Sequence, residues 1–598
     1  MILKALYDYY KRSDEMAPVG MEYKELAFLI VIDEQGNFVH LEDCRLDANK
    51  FKVFLVPKAV SRASNPVANF CWDNCSYVLN FSEANLPLKN PPSDPLKLAK
   101  KEEANKKEII KNERNYQTFL NKVEEIANAL PKNELVRALC LFYQKGNEAI
   151  LSDLQKDLLW NDFCKNLTRN VSFRINGSLT IVPEDQQLVN FYLKSINEPK
   201  ENKDEKQICL ITGATGPIVK TTSATHISGS QATAKLVSFQ VSSGYDSYGK
   251  AQGDNAPISR DAEFAYTTAL NHLLEKDSKN MFRIASRTYV FWASVNNETG
   301  LEAESSFFSF LNPSQDNPDA DIKKVEKVFK SIFSGILKST GNDKFYILGL
   351  APNAARLAVV YWKEISIKEF AGNILKHFDD MEISDYRFDK KPYKGVYQLL
   401  SAVALQGKVG DVQPNLPEEV IKSIFQCTPY PYTLYSACLR RIHAEQKTTI
   451  CRVGIIKAYL NRKSNNYKKI SIMLDPLNTN VGYVCGRLFA TLEYLQKKSS
   501  GIDSIRQRYL NAASTTPATV FGNLMNLSVH HEEKLNAPSL IFFKRLKNEI
   551  VDLLSAEGFP AHLDIQDQGR FFVGYHHQMA EFFKKKETEN SNENLENE

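Results

Sequence analysis

The sequence lacks the motifs that identify the common classes of enzyme. It contains no phosphate-binding loop ending in Gly-Lys-Ser or Gly-Lys-Thr, and no serine or cysteine stands in a recognisable nucleophile turn. His377, Asp379 and Asp380 are residue types that bind metal ions, but nothing upstream or downstream completes a ligand set. The sequence therefore offers no catalytic constellation, and we expect the protein not to be an enzyme.

Membrane and secretion signals are also missing. No uncharged apolar run approaches the roughly 20 residues that a membrane-spanning helix needs, so no membrane partner is expected. The first residues carry charges, such as Lys4 and Asp8, that a secretory signal lacks in its apolar core. The ten cysteines are scattered without a disulfide framework. Together these features predict a cytoplasmic protein in a reducing compartment.

The chain has no large excess of charge of one sign. Its 75 Lys and Arg residues nearly balance 71 Asp and Glu residues, which gives a net charge of +4. This balance excludes a histone-like polycation. A nucleic-acid partner would therefore have to be bound by local basic patches.

Two segments imitate cofactor or metal sites without completing them. Leu210–Gly216 has the strand-to-glycine start of a dinucleotide site, but Pro217 follows at once and no amphipathic helix begins there. Cys44, Cys71 and Cys75 lack the four ligands at paired spacings that a zinc site needs. We therefore expect neither a cofactor nor a bound metal.

The order of apolar patterns predicts an α+β protein, with a mixed α/β amino-terminal and central region followed by a carboxy-terminal helical bundle. Apolar runs around a Gly-containing turn predict hairpins over 26–41 and 171–182. The run at 236–241 is strand-like, and the Lys/Glu-rich stretch at 94–130 is typical of a long solvated helix.

The chain is too long for one core and should hold roughly three or four domains. We divide it into six segments that differ in pattern. They are a β-rich segment with a candidate DNA-reading loop (1–93), a helical insertion (94–165), a central α+β region (166–365), a helical connector (366–472), a helical bundle (473–586) and a disordered tail (587–598).

The stretch from Val56 to Leu79 combines residue types that suit DNA. Lys58 and Arg62 suit phosphates, asparagine amides suit base edges, and the indole of Trp72 can act as a wedge or a stacking surface. Turn chemistry explains the Ser, Asn and Pro residues of this stretch equally well, with Trp72 as a core anchor. Both interpretations stay open at this point.

This stretch, in its context, resembles part of the large subunit of type I-C CRISPR interference complexes. Further segments that resemble that family occur in the same order along nearly the whole chain. They are Met1–Tyr10, Tyr248–Pro257, Phe264–Leu270, Tyr346–Arg356, Arg508–Ser514, Thr516–Phe521, Phe559–Leu563, Gln568–Gly569 and Gly574–Gln578. The segment near 97–126 and the tail after Lys586 match least.

The resemblance implies a non-catalytic subunit of a complex guided by CRISPR RNA (crRNA). Such a subunit reads the protospacer-adjacent motif (PAM) in double-stranded DNA, helps to open the duplex, stabilises the R-loop and helps to recruit the helicase-nuclease. Its partners would be the crRNA, the backbone and 5′-end-capping subunits, and a small helical subunit made from the same gene. Met473, ahead of the bundle, is the expected internal translation start.

On this basis we place PAM reading in Val56–Tyr77. The candidate residues for motif and phosphate contacts are Lys58, Arg62, Asn69, Trp72 and Asn74, with Asn69 and Asn74 directed at base edges. Further cations could contact the DNA strands. These are Lys220, Lys250, Arg260, Arg440, Arg441, Lys457, Arg462, Lys497, Lys498, Arg506 and Arg508.

Two alternatives remain for the function. The protein could be a structural scaffold without DNA readout, or a metal-dependent nuclease whose ligands are too dispersed to recognise. Steep loss of DNA affinity with salt would separate a DNA-binding subunit from a scaffold. A metal-dependent cleavage assay would identify a nuclease.

Overall fold

The computed structural model describes most of the chain. The described residues are 1–13, 15–47, 50–60, 62, 65–87, 94–197, 206–241, 244, 248–284, 286–311, 318–386, 394–463, 469–502 and 504–584. Their contacts divide the chain into two compact units. We call residues 14–220 and 241–268 the amino-terminal unit, and residues 1–13, 221–240 and 269–598 the carboxy-terminal unit. The predicted six-segment division is not tested by these contacts and stays a prediction. The predicted disordered tail lies outside the described residues.

The amino-terminal unit contains most of the short strands. The strands are β1 (Met21–Glu25), β2 (Phe28–Ile32), β3 (Phe38–Asp43), β4 (Val53–Pro57), β5 (Trp72–Asn74), β6 (Asn170–Ile175), β7 (Lys206–Ile208) and β8 (Thr215–Pro217). The helices that lie or begin there are α2 (Cys75–Val78), α3 (Pro95–Ala129), α4 (Glu134–Gln144), α5 (Asn147–Leu154), α6 (Trp160–Phe163), α7 (Gln186–Asn197) and α8 (Arg260–Leu273).

A four-stranded sheet of order β3-β2-β6-β5 is the centre of this unit. Strand β2 is buried along its whole length, because its two faces join different cores. Phe28, Ile30 and Ile32 pack in one core with Phe119 of α3, while Leu29 packs on the other side with Trp72. Successive side chains of a strand point to opposite faces of the sheet, so neighbouring residues of β2 lie in different cores. The hairpin predicted over 26–41 is confirmed as β2 and β3.

One predicted strand pairing and one predicted strand are wrong. The hairpin over 171–182 does not form, because β6 pairs parallel with β2 and antiparallel with β5 instead. Ile181 and Val182 are buried at the start of a short 3₁₀ turn, so their apolar character reflects burial without a strand. The run at 236–241 is not part of any described ladder; its neighbour Lys235 makes an isolated bridge to Arg356.

The carboxy-terminal unit combines one antiparallel sheet with many helices. Its strands, in the order β12-β11-β10-β9, are β9 (Met281–Ile284), β10 (Arg287–Ala293), β11 (Lys344–Asn353) and β12 (Arg356–Ser366). Its helices up to the chain's bundle are α1 (Ile2–Arg12), α9 (Glu298–Leu311), α10 (Pro318–Ser334), α11 (Ile367–Met381), α12 (Val396–Val403), α13 (Leu416–Phe425), α14 (Tyr432–Glu445) and α15 (Ile450–Lys463).

Five helices complete this unit: α16 (Val481–Ser500), α17 (Ile505–Thr515), α18 (Phe521–Glu532), α19 (Ala537–Val551) and α20 (Ile565–Phe583). One hydrophobic core runs from Phe282 in the sheet to Tyr575 in α20. The α+β class is therefore confirmed, with strands in the amino-terminal and central regions and helices at the carboxy-terminal end. None of the helices in the described ranges is both long and apolar enough to cross a bilayer.

Candidate nucleic-acid interface

Trp72 anchors the candidate reading stretch to the core of the amino-terminal unit. Its side chain is 1% exposed, and its indole Nε1–H donates a hydrogen bond of 2.9 Å to the carbonyl of Pro57 at the end of β4. It packs against Leu29 and Val56. Trp72 is therefore placed as a core anchor, and its buried indole is not accessible to DNA as a wedge. Ser61, Ala63 and Ser64 lie outside the described residues.

Asp73 holds the stretch together from the inside. Its carboxylate is 1% exposed and accepts hydrogen bonds from the backbone N–H of Asn69 (3.0 Å) and of Asn74 (2.9 Å). It also forms an ion pair with the guanidinium of Arg62. Burial raises the pKa of Asp73, and the bonds from Asn69 and Arg62 oppose that rise. One side chain thus ties Arg62 and Asn69 to the segment that holds Asp73 and Asn74.

The contacts of Arg62 use only some of its N–H donors. Its Nε donates to the carbonyl of Val67 (2.8 Å), and its guanidinium lies 4.0 Å above the ring of Tyr77. The side chain remains 30% exposed. A guanidinium carries five N–H donors, and these contacts use only part of them. Arg62 is therefore positioned to contact a phosphate or a base edge.

The two candidate asparagines differ in their availability. Asn69 is 4% exposed and its Oδ1 accepts a hydrogen bond from the backbone of Val60 (3.0 Å), so its place is structural. Asn74 is half-buried and caps α2, because its Oδ1 accepts from the N–H (3.1 Å) and Oγ (2.7 Å) of Ser76. Its Nδ2 amino group makes no hydrogen bond to any residue that the structure describes. Asn74 thus keeps two N–H donors for a ligand.

Lys58 lies at the start of the stretch against helix α8. Its Nζ is 4.9 Å from the centre of the Phe264 ring, and its backbone carbonyl accepts a hydrogen bond from Tyr192 (3.3 Å). Arg260, the first residue of α8, donates to the carbonyl of Ile196 (3.1 Å). The structure therefore brings Lys58 and Arg260 to the same helix.

Lys220 and Lys250 are also close to each other. Both side chains are exposed. The carbonyl of Lys220 accepts a hydrogen bond from Gly253 (3.0 Å), and the carbonyl of Lys250 accepts one from Asn255 (3.5 Å). The 3₁₀ turn at residues 252–255 thus joins the two segments that carry these exposed cations. Their role as strand contacts stays a prediction.

Lys457 and Arg462 have internal roles. Lys457 is 3% exposed and its Nζ donates to the carbonyls of Asp379 (3.3 Å) and Asp380 (3.0 Å); burial lowers its pKa. Arg462 pairs with the carboxylate of Asp380 (2.6 Å) and donates to the carbonyls of Ser423 and Thr428. The placement of both side chains differs from that expected of DNA contacts, because helix α15 is buried on most of its surface.

The remaining cations lie on helices of the carboxy-terminal unit. Arg440 is exposed, and Arg441 is 3.8 Å from Glu445 within α14. Tyr430, expected beside them as a stacking surface, is 3% exposed and bonded to His377. Lys497 and Lys498 are exposed in the last turn of α16, Arg508 is exposed on α17, and Arg506 is 3.9 Å from the buried Glu493.

Met473 is 60% exposed in the connection that precedes α16. Helix α16 then begins at a cap formed by Asn480, whose Oδ1 accepts from the N–H of Tyr483 (3.0 Å). The same Asn480 donates to Asp567 of α20 (2.9 Å). A product that begins at Met473 would therefore contain α16 to α20 with this cap intact.

The role of Asp73 as the internal hub was not predicted. The sequence signal for it was an acidic residue between Trp72 and Asn74 in an otherwise basic stretch. No group of three or more His, Cys, Asp or Glu side chains that could hold a metal ion is found among the described residues. The donors that the stretch keeps available are on the Arg62 guanidinium and the Asn74 amide.

Comparison with known proteins identifies the family. No curated protein matches the chain. The family described as CRISPR-associated protein (Cas_Csd1) matches residues 6–583, which is nearly the whole chain and includes the Val56–Tyr77 stretch. The protein thus belongs to the Cas_Csd1 family of CRISPR-associated proteins.

Proposed function

We propose that the protein is the large, non-catalytic subunit of a cytoplasmic type I-C complex guided by crRNA. In this role it reads the PAM in double-stranded DNA, helps to open the duplex, stabilises the R-loop and helps to recruit the helicase-nuclease. Its partners are the crRNA with the backbone and 5′-end-capping subunits, and a small helical subunit from the same gene. Membership of a CRISPR-associated family supports this proposal.

The observation that carries the proposal is the pair of donors on the Val56–Tyr77 stretch. The guanidinium of Arg62 and the Nδ2 amide of Asn74 flank the buried Asp73, which fixes both residues. Base edges in the minor groove present mostly acceptors, so a reader there must supply donors. A short motif can be read by two or three fixed donors, while base pairing with the guide reads the rest of the target.

The two alternatives predict different behaviour of the purified complex. A scaffold without DNA contact would show no salt-dependent DNA affinity attributable to this chain. A metal-dependent nuclease would cleave DNA when Mg²⁺ or Mn²⁺ is added to the isolated protein. The donors at Arg62 and Asn74 favour the DNA-reading subunit.

The direct test is purification of the tagged full chain from its native operon, followed by RNA extraction. We expect recovery with backbone subunits and a uniform short guide RNA. A solitary protein without RNA would contradict membership of such a complex.

Replacing Asn74 by serine should lower affinity for motif-bearing DNA by roughly 5- to 160-fold, which is ~1–3 kcal/mol, the usual cost of one lost base contact. Serine keeps the cap on α2 but lacks the amide donors, so the stability of the protein should change little. The measurement is equilibrium binding of the assembled complex to duplexes with and without the motif.

Asn74→Ala is the matched control for the cap. It removes the same donors and also the acceptor for Ser76, so it should cost a further ~1 kcal/mol of stability while giving the same loss of discrimination. If Asn74→Ser discriminates the motif as the unsubstituted protein does, Asn74 is not a reading residue.

A second product beginning at Met473 should appear when the gene is expressed. It would run from Met473 to the end of the chain and supply the small helical subunit. Intact-mass analysis should show both species, and replacing the Met473 codon by a leucine codon should remove only the smaller one. A single full-length species at every expression level would contradict the internal start at this position.

A further inference from the structure

The first half of helix α3 extends beyond the core of the amino-terminal unit. Every residue from Pro95 to Lys111 is exposed or half-buried, and the first buried residue is Asn112. From there on the helix is packed through Phe119, Val123 and Ile126. At 1.5 Å per residue the unpacked part is about 25 Å long. We call residues 95–111 the arm.

Four lysines of the arm lie along one side of the helix. The arm has six lysines and three glutamates. Lys97, Lys100, Lys107 and Lys111 follow one another at intervals of three, seven and four residues, which places them on one face. Lys107 and Lys111 have exposed pairs within the helix, with Glu103 (2.7 Å) and Glu108 (3.2 Å). Exposed pairs of this kind are weak and can exchange for a phosphate.

The face with the lysines ends at the candidate reading stretch. Lys111 acts electrostatically on Tyr77, the ring over which Arg62 lies. One turn further along α3, Asn115 donates to the Oγ of Ser76 (3.2 Å), and that hydroxyl donates to Asn74 (2.7 Å). The base of the arm is therefore fixed to the residues that carry the proposed reading donors.

The charge pattern favours a nucleic acid over a protein partner. Leu96, Ile109 and Ile110 are 75%, 38% and 58% exposed, but more than three helical turns separate Leu96 from the two isoleucines. They do not form the continuous apolar stripe at intervals of three and four that a helix uses in a protein groove. A row of lysines on an otherwise polar helix matches the regular phosphates of a duplex.

We propose that the arm binds the phosphate backbone of the duplex DNA that flanks the motif, on the side away from the guide-paired target. This inference rests on the proposed function, because the arm starts where the motif would be read. A helix of about 25 Å spans roughly seven base pairs at 3.4 Å per pair. The arm adds affinity that does not depend on base sequence, because phosphate contacts set the position of a protein on the duplex but carry no sequence information.

The test uses the assembled complex with the full chain carrying Lys97→Gln, Lys100→Gln and Lys107→Gln. Glutamine keeps a high helix propensity, and Lys111 is retained so that the surroundings of Tyr77 stay unchanged. Affinity is measured against salt on targets with either a long or a very short flanking duplex beyond the motif. Loss of three phosphate contacts should reduce the slope of log affinity against log salt by about 2.7 on the long flank.

On the short flank the triple variant and the unsubstituted complex should bind alike. Lys106→Gln, on the opposite face of the arm, serves as a matched control and should leave the slope unchanged. Equal slopes for the triple variant and the unsubstituted complex on the long flank would overturn the proposal. So would loss of a protein subunit from the triple-variant complex, because the arm would then bind protein.

The two proposals fail in different ways. A complex that ignores the motif but shows the flank-dependent change in slope contradicts motif reading and supports the arm. A complex that discriminates the motif but shows no effect of flank length supports motif reading and overturns the arm.

Discussion

Replacing Gly486 by alanine should destabilise the carboxy-terminal helical bundle by about 3 kcal/mol, the upper part of the range for overpacking a core. Helices α16 and α20 approach each other through glycines. A Cβ at Gly486 would lie 1.9 Å from the carbonyl oxygen of Phe571 and 2.9 Å from the backbone nitrogen of Tyr575. Both atoms belong to the backbone of α20, so no side chain can rotate away to make room.

The same contact recurs along the helix pair. A Cβ at Gly482 would lie 2.2 Å from the carbonyl oxygen of Asp567, and one at Gly574 would lie 2.2 Å from that of Tyr483. The helices could accept a methyl group only by moving apart along their length. That movement would open cavities around the buried Phe489 and Phe571, whose rings lie 5.8 Å apart.

Gly522→Ala in helix α18 is the matched control. A Cβ there meets no atom within 4 Å, so the same substitution should leave stability unchanged or raise it by up to ~1 kcal/mol. Urea unfolding of the full chain, followed by a probe in the carboxy-terminal unit, compares the two variants. Equal effects of Gly486→Ala and Gly522→Ala would contradict the close approach of α16 and α20.

Replacing Asp73 by alanine should cost about 3 kcal/mol of stability and abolish motif discrimination. The substitution leaves the backbone N–H groups of Asn69 and Asn74 without their acceptor, and it removes the ion-pair partner of Arg62. Breaking a buried ion pair costs ~3–5 kcal/mol, and the lower end applies because Arg62 is 30% exposed and can regain water. Without the hub, the two reading donors lose their fixed positions.

Discrimination should fall further in Asp73→Ala than in Asn74→Ser, since two donors are displaced instead of one. Asp153→Ala is a suitable control, because its pair with Lys156 is exposed and its loss should change stability by less than ~0.5 kcal/mol. Thermal unfolding and DNA binding are measured on the same preparations. Full stability with unchanged discrimination in Asp73→Ala would show that Asp73 does not organise the reading stretch.

Local patterns in the sequence were sufficient where the structure itself is local. The hairpin of β2 and β3 follows from two apolar runs around Asp33 and Gly36, and its turn is closed by Asp33 accepting a hydrogen bond from the backbone N–H of Asn37 (2.7 Å). The long helix α3 follows from its charge pattern and ends close to the predicted boundary. Apolar periodicity predicts such elements because their main contacts join residues that are close in the sequence.

Pairing between distant segments could not be predicted in this way. Strand β6 is followed by the expected turn at Gly177, yet its partners are β2 and β5. A local pattern shows that a strand is present but not which strand it joins. The same limit applies to the close contact of α16 and α20, although the spacing of Gly482 and Gly486 is a signal for it.

Burial of charged residues was the other source of error in the candidate site. Lys457 and Arg462 are cations in the sequence, and only their surroundings show that they bind backbone carbonyls and Asp380. By contrast, the cap formed by Asn74 has a local signature, because Asn before a helix start is a common N-cap. Its proposed second role as a donor depends on the exposure of the amide, which the sequence does not reveal.

The central claim is that this chain reads a short duplex motif through the Val56–Tyr77 stretch. The most direct measurement is selection of targets by the assembled complex from a library in which the base pairs beside the guide-matched sequence are randomised. We predict that the unsubstituted complex enriches a short motif, that Asn74→Ser makes at least one of its positions degenerate, and that the lysine variant of the arm enriches the same motif. Enrichment of an identical motif by the Asn74→Ser and Asp73→Ala complexes would contradict the claim.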